Sequence, residues 1–277
     1  MKLNFTLFAF LIFLFNLPLS AQIEIDWLEI SEEAGPDGTT QLFATNKGNC
    51  PLTIVLDFDK LKNLKIKQNL PIREVIPNGE DPILIATLIP LKNKSTEYNL
   101  KLAYFLGNTL KTKHDDDYVY LLPFEQGKKC VIGQGYNGKY SHTGLNAIDF
   151  DMKEGTKVCA ARPGIVIAVK EDSDEGCKTS KCKSMANYVL IYHDDGTFAS
   201  YVHLKKDGAL VEPGEKIAAG QVIGLSGNTG WSSGPHLHFE VYIPREGENI
   251  GVKTKFLVED EKITHLQEKK SYTAIHP

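Results

Sequence analysis

Several things this chain of 277 residues does not have narrow its reading at once. It contains no long block of Lys or Arg, and its formal net charge is -4, so it offers no basic track to a nucleic acid or an anionic surface. Nucleic-acid binding is therefore not expected. Beyond Leu121 no segment shows three turns of amphipathic helical spacing, which argues against an α/β domain. Histidine is sparse, with eight in the chain, and cysteine sparser, with five. Residues so few are informative where they cluster.

The N-terminus sets the compartment. Lys2 is followed by an apolar run from Leu7 to Leu19 and then by Ser20-Ala21-Gln22, the layout of a signal peptide over residues 1–21. The run is short for a membrane span, so the mature chain is expected to be exported, periplasmic or extracellular, with no span remaining; an uncleaved anchor helix is the rival reading. No cysteine follows it, so a lipid-anchored mature end is not indicated. Cys50, Cys130, Cys159, Cys177 and Cys182 form an odd set. Cys177 and Cys182 lie in a polar stretch between strand-like runs, where a disulfide closes a loop in an oxidising compartment. A metal knuckle lacks its second Cys/His pair there. Cys50, Cys130 and Cys159 have no readable pairing, and Cys159, in Val158-Cys-Ala-Ala161, reads as a buried core thiol.

Residues 22–118 read as a β-sandwich-like domain. Short strands over Thr40 to Ala44, Leu52 to Phe58, Pro82 to Leu91 and Tyr98 to Phe105 are separated by turns such as Gly35-Pro-Asp-Gly38 and Pro77-Asn-Gly79. No cluster of chemically useful residues falls in it, which suits a structural or adhesive module. The charged segment Lys111 to Asp117 reads as a solvated linker, because its three contiguous aspartates lack the alternating spacing, glycine and distal glutamate of a calcium loop. Residues 119–245 are dense in glycine, with strands at Ile165 to Val169, Tyr188 to Tyr192, Phe198 to Leu204, Gln221 to Leu225 and His236 to Ile243, and a hairpin turn at Asp194-Asp-Gly196. Residues 246–277 read as a C-terminal β extension that adds a last hairpin. The whole is expected to be all-β.

Four of the eight histidines stand beside residues that make chemical sense. In the strand beginning at Pro235-His236-Leu237-His238, His236 and His238 project from one face. His142 precedes Ala147-Ile-Asp149-Phe-Asp151, where Asp149 lies on a polar face with Asp151 as the local competitor. His203 sits in Ser200-Tyr-Val-His-Leu204, with Tyr201 expected on the same face. His114, His193, His265 and His276 read as surface. Two imidazoles and one carboxylate are a common set for catalytic zinc, and they suffice for metal-assisted hydrolysis. No His-Glu-x-x-His helix is present, so a thermolysin-like arrangement is excluded.

The run from Val211-Glu-Pro-Gly214 through Gly224-Leu-Ser-Gly-Asn-Thr-Gly-Trp-Ser-Ser-Gly-Pro-His-Leu-His-Phe-Glu240 resembles the core signature of the lysostaphin/LytM-type zinc metallopeptidases. Gly155-Thr-Lys-Val158, Ala161-Arg-Pro-Gly164 and Tyr201-Val-His-Leu204 follow in that family's order, and the resemblance runs from about Gln134 to Tyr242. It implies an antiparallel peptidase domain of the duplicated hybrid motif type holding one Zn2+ per chain. By the same resemblance His142, Asp149 and His238 are the metal ligands, and His203 and His236 the catalytic histidines. Asn187 and Tyr201 are candidates for supporting or oxyanion roles, or plain strand residues, and Trp231 for a substrate contact or a buried anchor. The implied substrate is the peptide part of bacterial peptidoglycan, and the implied reaction endopeptidase cleavage by metal-activated water. The alternative is a LytM-like scaffold that has no catalysis and activates a cell-wall amidase. One feature departs from the pattern, since six residues rather than three separate His142 from Asp149; a loop or bulge between them would still let both face one site. Oligomeric state is not legible.

Overall fold

The computed structural model describes residues 26–111 and 113–276, and the expected signal peptide lies outside them. The fold is all-β, 53% strand and 5% helical. Among the described residues no helix is long and apolar enough to cross a membrane. The chain divides into two compact units, Met1–Leu110 and Lys111–Pro277.

Among the described residues the first unit holds seven strands: β1 (Leu28–Ala34), β2 (Thr40–Asn46), β3 (Leu52–Lys62), β4 (Leu64–Ile66), β5 (Ile72–Ile76), β6 (Gly79–Pro90) and β7 (Glu97–Leu106). They form two antiparallel sheets, ordered β1-β2-β6-β4 and β5-β3-β7. Each sheet sends apolar side chains to one shared core: Leu42 and Leu88 from the first, Ile54, Leu56 and Ile76 from the second, all fully buried. Full burial of such a side chain is worth roughly 1.5–3 kcal/mol. Charged residues alternate to the outside, which is how β-rich sequence with period two makes a two-layer unit.

The second unit begins with β8 (Val119–Leu121), β9 (Lys129–Gln134), β10 (Ala147–Asp151), β11 (Lys157–Cys159) and β12 (Gly164–Lys170). Next come β13 (Gly176–Cys177), β14 (Asn187–Tyr192), β15 (Phe198–Ala209), β16 (Lys216–Ile217), β17 (Val222–Ser226), β18 (Gly230–Trp231) and β19 (His236–Ile243). The tail adds β20 (Ile250–Val252), β21 (Lys255–Val258), β22 (Lys262–Thr264) and β23 (Ser271–Thr273). The central path of its main sheet runs β16-β12-β14-β15-β19-β10-β9-β23. The tail therefore does more than add a hairpin: β21 pairs with β22 and runs parallel to β8, while β23 extends the main sheet beyond β9. Phe124, Phe150, Phe239 and Phe256 fill the core beneath this sheet, their rings 5.9–6.5 Å apart in mostly edge-on pairs.

The segment expected as a solvated linker belongs to this unit. Lys111 Nζ donates to the Asp195 carbonyl (2.6 Å), Asp115 N donates to Asp195 Oδ2 (3.2 Å), and Lys255 pairs with Asp117 (2.9 Å). These polar bonds leave no apolar periodicity to read. The buried Arg162 closes the same corner, its guanidinium held by Asp194 and Asp195 and lying 3.8 Å from the Tyr118 ring centroid.

Candidate active site

Strand register assembles the first part of the site. β19 alternates buried Leu237, Phe239 and Val241 with half-buried His236, His238 and Glu240, so one face lies on the core and the other is free for polar groups. β10 pairs with it antiparallel, placing Asp149 opposite His238 and Asp151 opposite His236. Directly opposed residues share a face. His142 reaches this face from a tight turn before β10, closed by Leu145 N donating to His142 O (2.8 Å) with Gly144 at φ +79°. The six-residue spacing is thus accommodated by a loop.

The three converging atoms are His142 Nε2, His238 Nδ1 and Asp149 Oδ1. Their separations are 3.2 Å between the two nitrogens, 3.2 Å from His142 to Asp149 and 3.0 Å from His238 to Asp149. The carbonyl of Gly135 can only accept, so its 3.1 Å bond makes His142 Nδ1 the protonated nitrogen and leaves Nε2 as a lone pair. A lone pair facing a carboxylate oxygen repels it unless a positive charge stands between them. Ligands held tetrahedrally at about 2.0–2.1 Å from zinc lie roughly 3.3 Å from one another. The donor set and its spacing therefore fit a zinc ion. These are also the residues that group as a possible metal site among the described residues. Burial acts to raise the pKa of Asp149, but the neighbouring imidazoles of His142 and His238 outweigh it and hold the carboxyl well below the usual range. For His238 burial acts downward and the Asp149 carboxylate more than offsets it, raising its pKa.

The other two histidines arrive differently. An unbroken β15 would carry His203 to the same face as Tyr201, into the core. Instead Asn187 pairs with Leu204 and Tyr188 with Val202, so His203 is the extra residue of a β-bulge, at φ +67°. The bulge turns its ring to the side of Val202 and His238, 4.5 Å from the His236 ring and 5.9 Å from that of His238. His203 Nδ1 donates to the Thr229 carbonyl (2.6 Å), and His236 Nδ1 donates to the Gly234 carbonyl (2.8 Å). In each ring Nε2 is left for the site, and that of His236 lies 3.8 Å from Asp149 Oδ1. Burial and the neighbouring His236 and His238 push the His203 pKa down to about 3, so it is neutral at ordinary pH.

Tyr201 stands on the opposite face from the one expected. It is fully buried against Phe239, and its hydroxyl accepts a hydrogen bond from Ala161 N (2.8 Å). Asn187 has no free amide to offer a substrate: Oδ1 accepts from Ser173 N, and Nδ2 donates to Ser173 O and Leu204 O, which anchors the bulge. Asp151 is exposed and outside the converging trio. Trp231 is partly exposed, at 38%. Cys177 and Cys182 are bonded to each other, while Cys50, Cys130 and Cys159 are free and buried, with Cys159 pushed up to about 11 by burial. His193, expected at the surface, is fully buried with Nδ1 on the Pro163 carbonyl (2.7 Å), because Arg162 and its aspartates cover the turn that follows.

Gln134 is the residue the sequence does not announce. From β9 its Nε2 donates to Asp149 Oδ2 (3.1 Å) and Ser141 Oγ (2.8 Å), and its Oε1 accepts from Tyr140 N and Ser141 N. One amide thus orients the carboxylate and fixes the loop that delivers His142. Gly138 makes room for it, since a Cβ there would lie 2.3 Å from Gln134 Cγ.

Residues 141–251 match the family model for Peptidase family M23, and the chain carries a domain of that family. Among similar proteins, peptidoglycan DD-endopeptidase ShyA of Vibrio cholerae is 40% identical over 98 residues, 35% of this chain and 20% of that protein. Glycyl-glycine endopeptidase ALE-1 of Staphylococcus capitis is 36% identical over 114 residues, 39% of this chain and 28% of that one. The chain thus spans 20–28% of the length of these relatives. The catalytic domain of lysostaphin from Staphylococcus simulans is 28% identical with a TM-score of 0.32, over 44% of this chain and 83% of that one.

Proposed function

We propose that the protein is an exported, zinc-dependent endopeptidase that hydrolyses peptide cross-links of bacterial peptidoglycan. The observation that carries this is the set of three donor atoms 3.0–3.2 Å apart, with two further histidines turned toward it and their Nδ1 atoms occupied by carbonyls. The names of the relatives ShyA and ALE-1 support the substrate class and the endopeptidase reaction.

In this reading His142 Nε2, His238 Nδ1 and Asp149 Oδ1 would hold the zinc. When bound, the ion supplies Lewis-acid chemistry, acidifying water and polarising a carbonyl. His203 and His236 handle protons at Nε2. One takes a proton from the attacking water, and a protonated ring donates to the oxyanion or to the departing amine. Their carbonyl partners hold Nδ1 and fix ring orientation in advance, so both Nε2 atoms face the substrate.

Purified mature protein should carry about one zinc per chain and release peptides from isolated cell wall, with mass spectrometry of the products identifying the bond cut. A zinc-loaded protein that releases no peptide from cell wall or from glycine-rich peptides sinks the endopeptidase reading and leaves the scaffold role.

A further inference from the structure

We infer that the disulfide-closed loop Gly176 to Met185 is a positioning strap for His203 and His236, and that it takes no part in holding the metal ligands. The inference rests on the reading of those two histidines as the proton-handling pair. Its path is continuous in hydrogen bonds. β13 and β18 pair in parallel, Gly176 with Gly230 and Cys177 with Trp231. Gly230 N donates to the Glu175 carbonyl (2.8 Å), and Ser232 N donates to the Cys177 carbonyl (3.0 Å). The two segments lie so close that a Cβ on Gly176 would be 2.2 Å from the Asn228 carbonyl oxygen, and one on Gly230 would be 2.4 Å from Ala186 Cβ.

The segment so gripped, Asn228 to Ser232, carries one partner of each ring. Thr229 offers its carbonyl to His203 Nδ1, while its hydroxyl donates to Leu204 O (2.7 Å) and accepts from Asn187 N (3.0 Å). It therefore spans the bulge from both sides. Ser232 Oγ lies 3.2 Å from His236 Nδ1 and 2.8 Å from the Gly234 carbonyl that the same nitrogen meets.

What holds the strap itself is not a core. Its 3₁₀ turn, Ser180–Met185, buries no side chain, so the Cys177–Cys182 bond and the short ladder to β18 restrain it. The metal-ligand bonds avoid this route: His142 is fixed by Gly135, Asp149 by Gln134, and His238 by its place in β19.

The test uses the full mature chain, zinc-loaded and ¹⁵N-labelled at histidine, with Cys177 and Cys182 both changed to Ser. Exchange of the ring Nδ1–H of His203 and His236 should quicken at least ~10-fold, while that of His142, bound to Gly135, stays unchanged and zinc content is kept. In turnover, kcat should fall about 10-fold with KM within about 2-fold. Unchanged exchange at His203 and His236, or loss of zinc from the variant, overturns the inference. Because the exchange needs no substrate, it decides the matter even if the wild type proves inactive, an outcome that would overturn only the proposed function. Should the double variant fail to fold, Thr229→Val removes the two hydroxyl bonds without touching the disulfide. It should quicken exchange at His203, and Thr229→Ser should restore it. Wild-type exchange in the Val variant overturns the inference equally.

Discussion

The two halves of the histidine cluster are built by different means. His238 and Asp149 are placed by strand register, opposite each other on β19 and β10, and His142 is fastened to the same sheet through Gly135 and Gln134. His203 and His236 are aimed by a bulge and by carbonyls of the 227–234 loop. Rigid pairing suits a donor set whose spacing must hold to a few tenths of an ångström. Loops suit groups that meet a substrate. Damage to one half should then be separable from damage to the other. His142→Ala or His238→Ala should abolish hydrolysis and lower zinc from about one per chain to below about 0.1, read by elemental analysis. His203→Ala or His236→Ala should keep the zinc and lose about 10²–10⁴ in kcat. Loss of zinc from all four variants alike would erase the distinction.

What strand alternation places was legible in the sequence, and what a bulge or a loop places was not. Alternation in His236 to Ile243 shows one buried face, so the shared side of His236 and His238 follows from period two. The strand through Phe198 to Leu204 was equally plain, yet the side taken by His203 was not. Alternation puts it with Tyr201, and only pairing with β14 reveals the bulge. β9 escaped for another reason. Its buried face carries Cys130, Ile132 and Gln134 and its exposed face Val131, so hydropathy marks no strand and hides Gln134. His193 misled because a turn sequence is usually exposed, whereas Arg162, distant in sequence, covers this one.

His193 supplies a control for the loop-built half, since its Nδ1 is pinned by a carbonyl much as that of His203 is. Its buried Nε2 has no hydrogen-bond partner and faces no donor set. Burial pushes its pKa from 6.5 down to about 4. Between those values the unfolded chain binds a proton that the native chain does not, so this contribution is complete above about pH 6.5 and is lost as pH falls toward 4. The loss is roughly 3 kcal/mol at 1.36 kcal/mol per unit. In chelator-treated protein, denaturation at both pH values should show the wild type losing about that much more than His193→Asn, whose amide can still reach Pro163 O. Equal losses would mean that the buried ring takes up its proton at no cost.

Gln134→Ala sharpens the comparison on the register-built side. It removes the donor to Asp149 Oδ2 and both acceptor contacts that hold the His142 loop. Zinc affinity should drop about 10–100-fold, measured against a competing chelator, and kcat at saturating zinc should change far less. A fall in kcat with affinity intact would place Gln134 with the loop-built half instead.

The smallest effect belongs to Asp151, and it tests whether register alone makes a ligand. Asp149 and Asp151 share a face of β10, each opposite a histidine of β19, so the pattern of alternation cannot separate them. Their surroundings do. Asp149 is largely enclosed, accepts from Gln134 and converges with His142 and His238, whereas Asp151 is exposed. An exposed charge is screened by water, and its influence on a nearby cation is worth about 0–1 kcal/mol. Asp151→Ala should therefore keep its zinc with affinity changed by no more than about fivefold, while Asp149→Ala loses the metal. If the two variants lost zinc alike, the enclosure of Asp149 would not be what selects it, and placement on the face opposite the histidines would be enough.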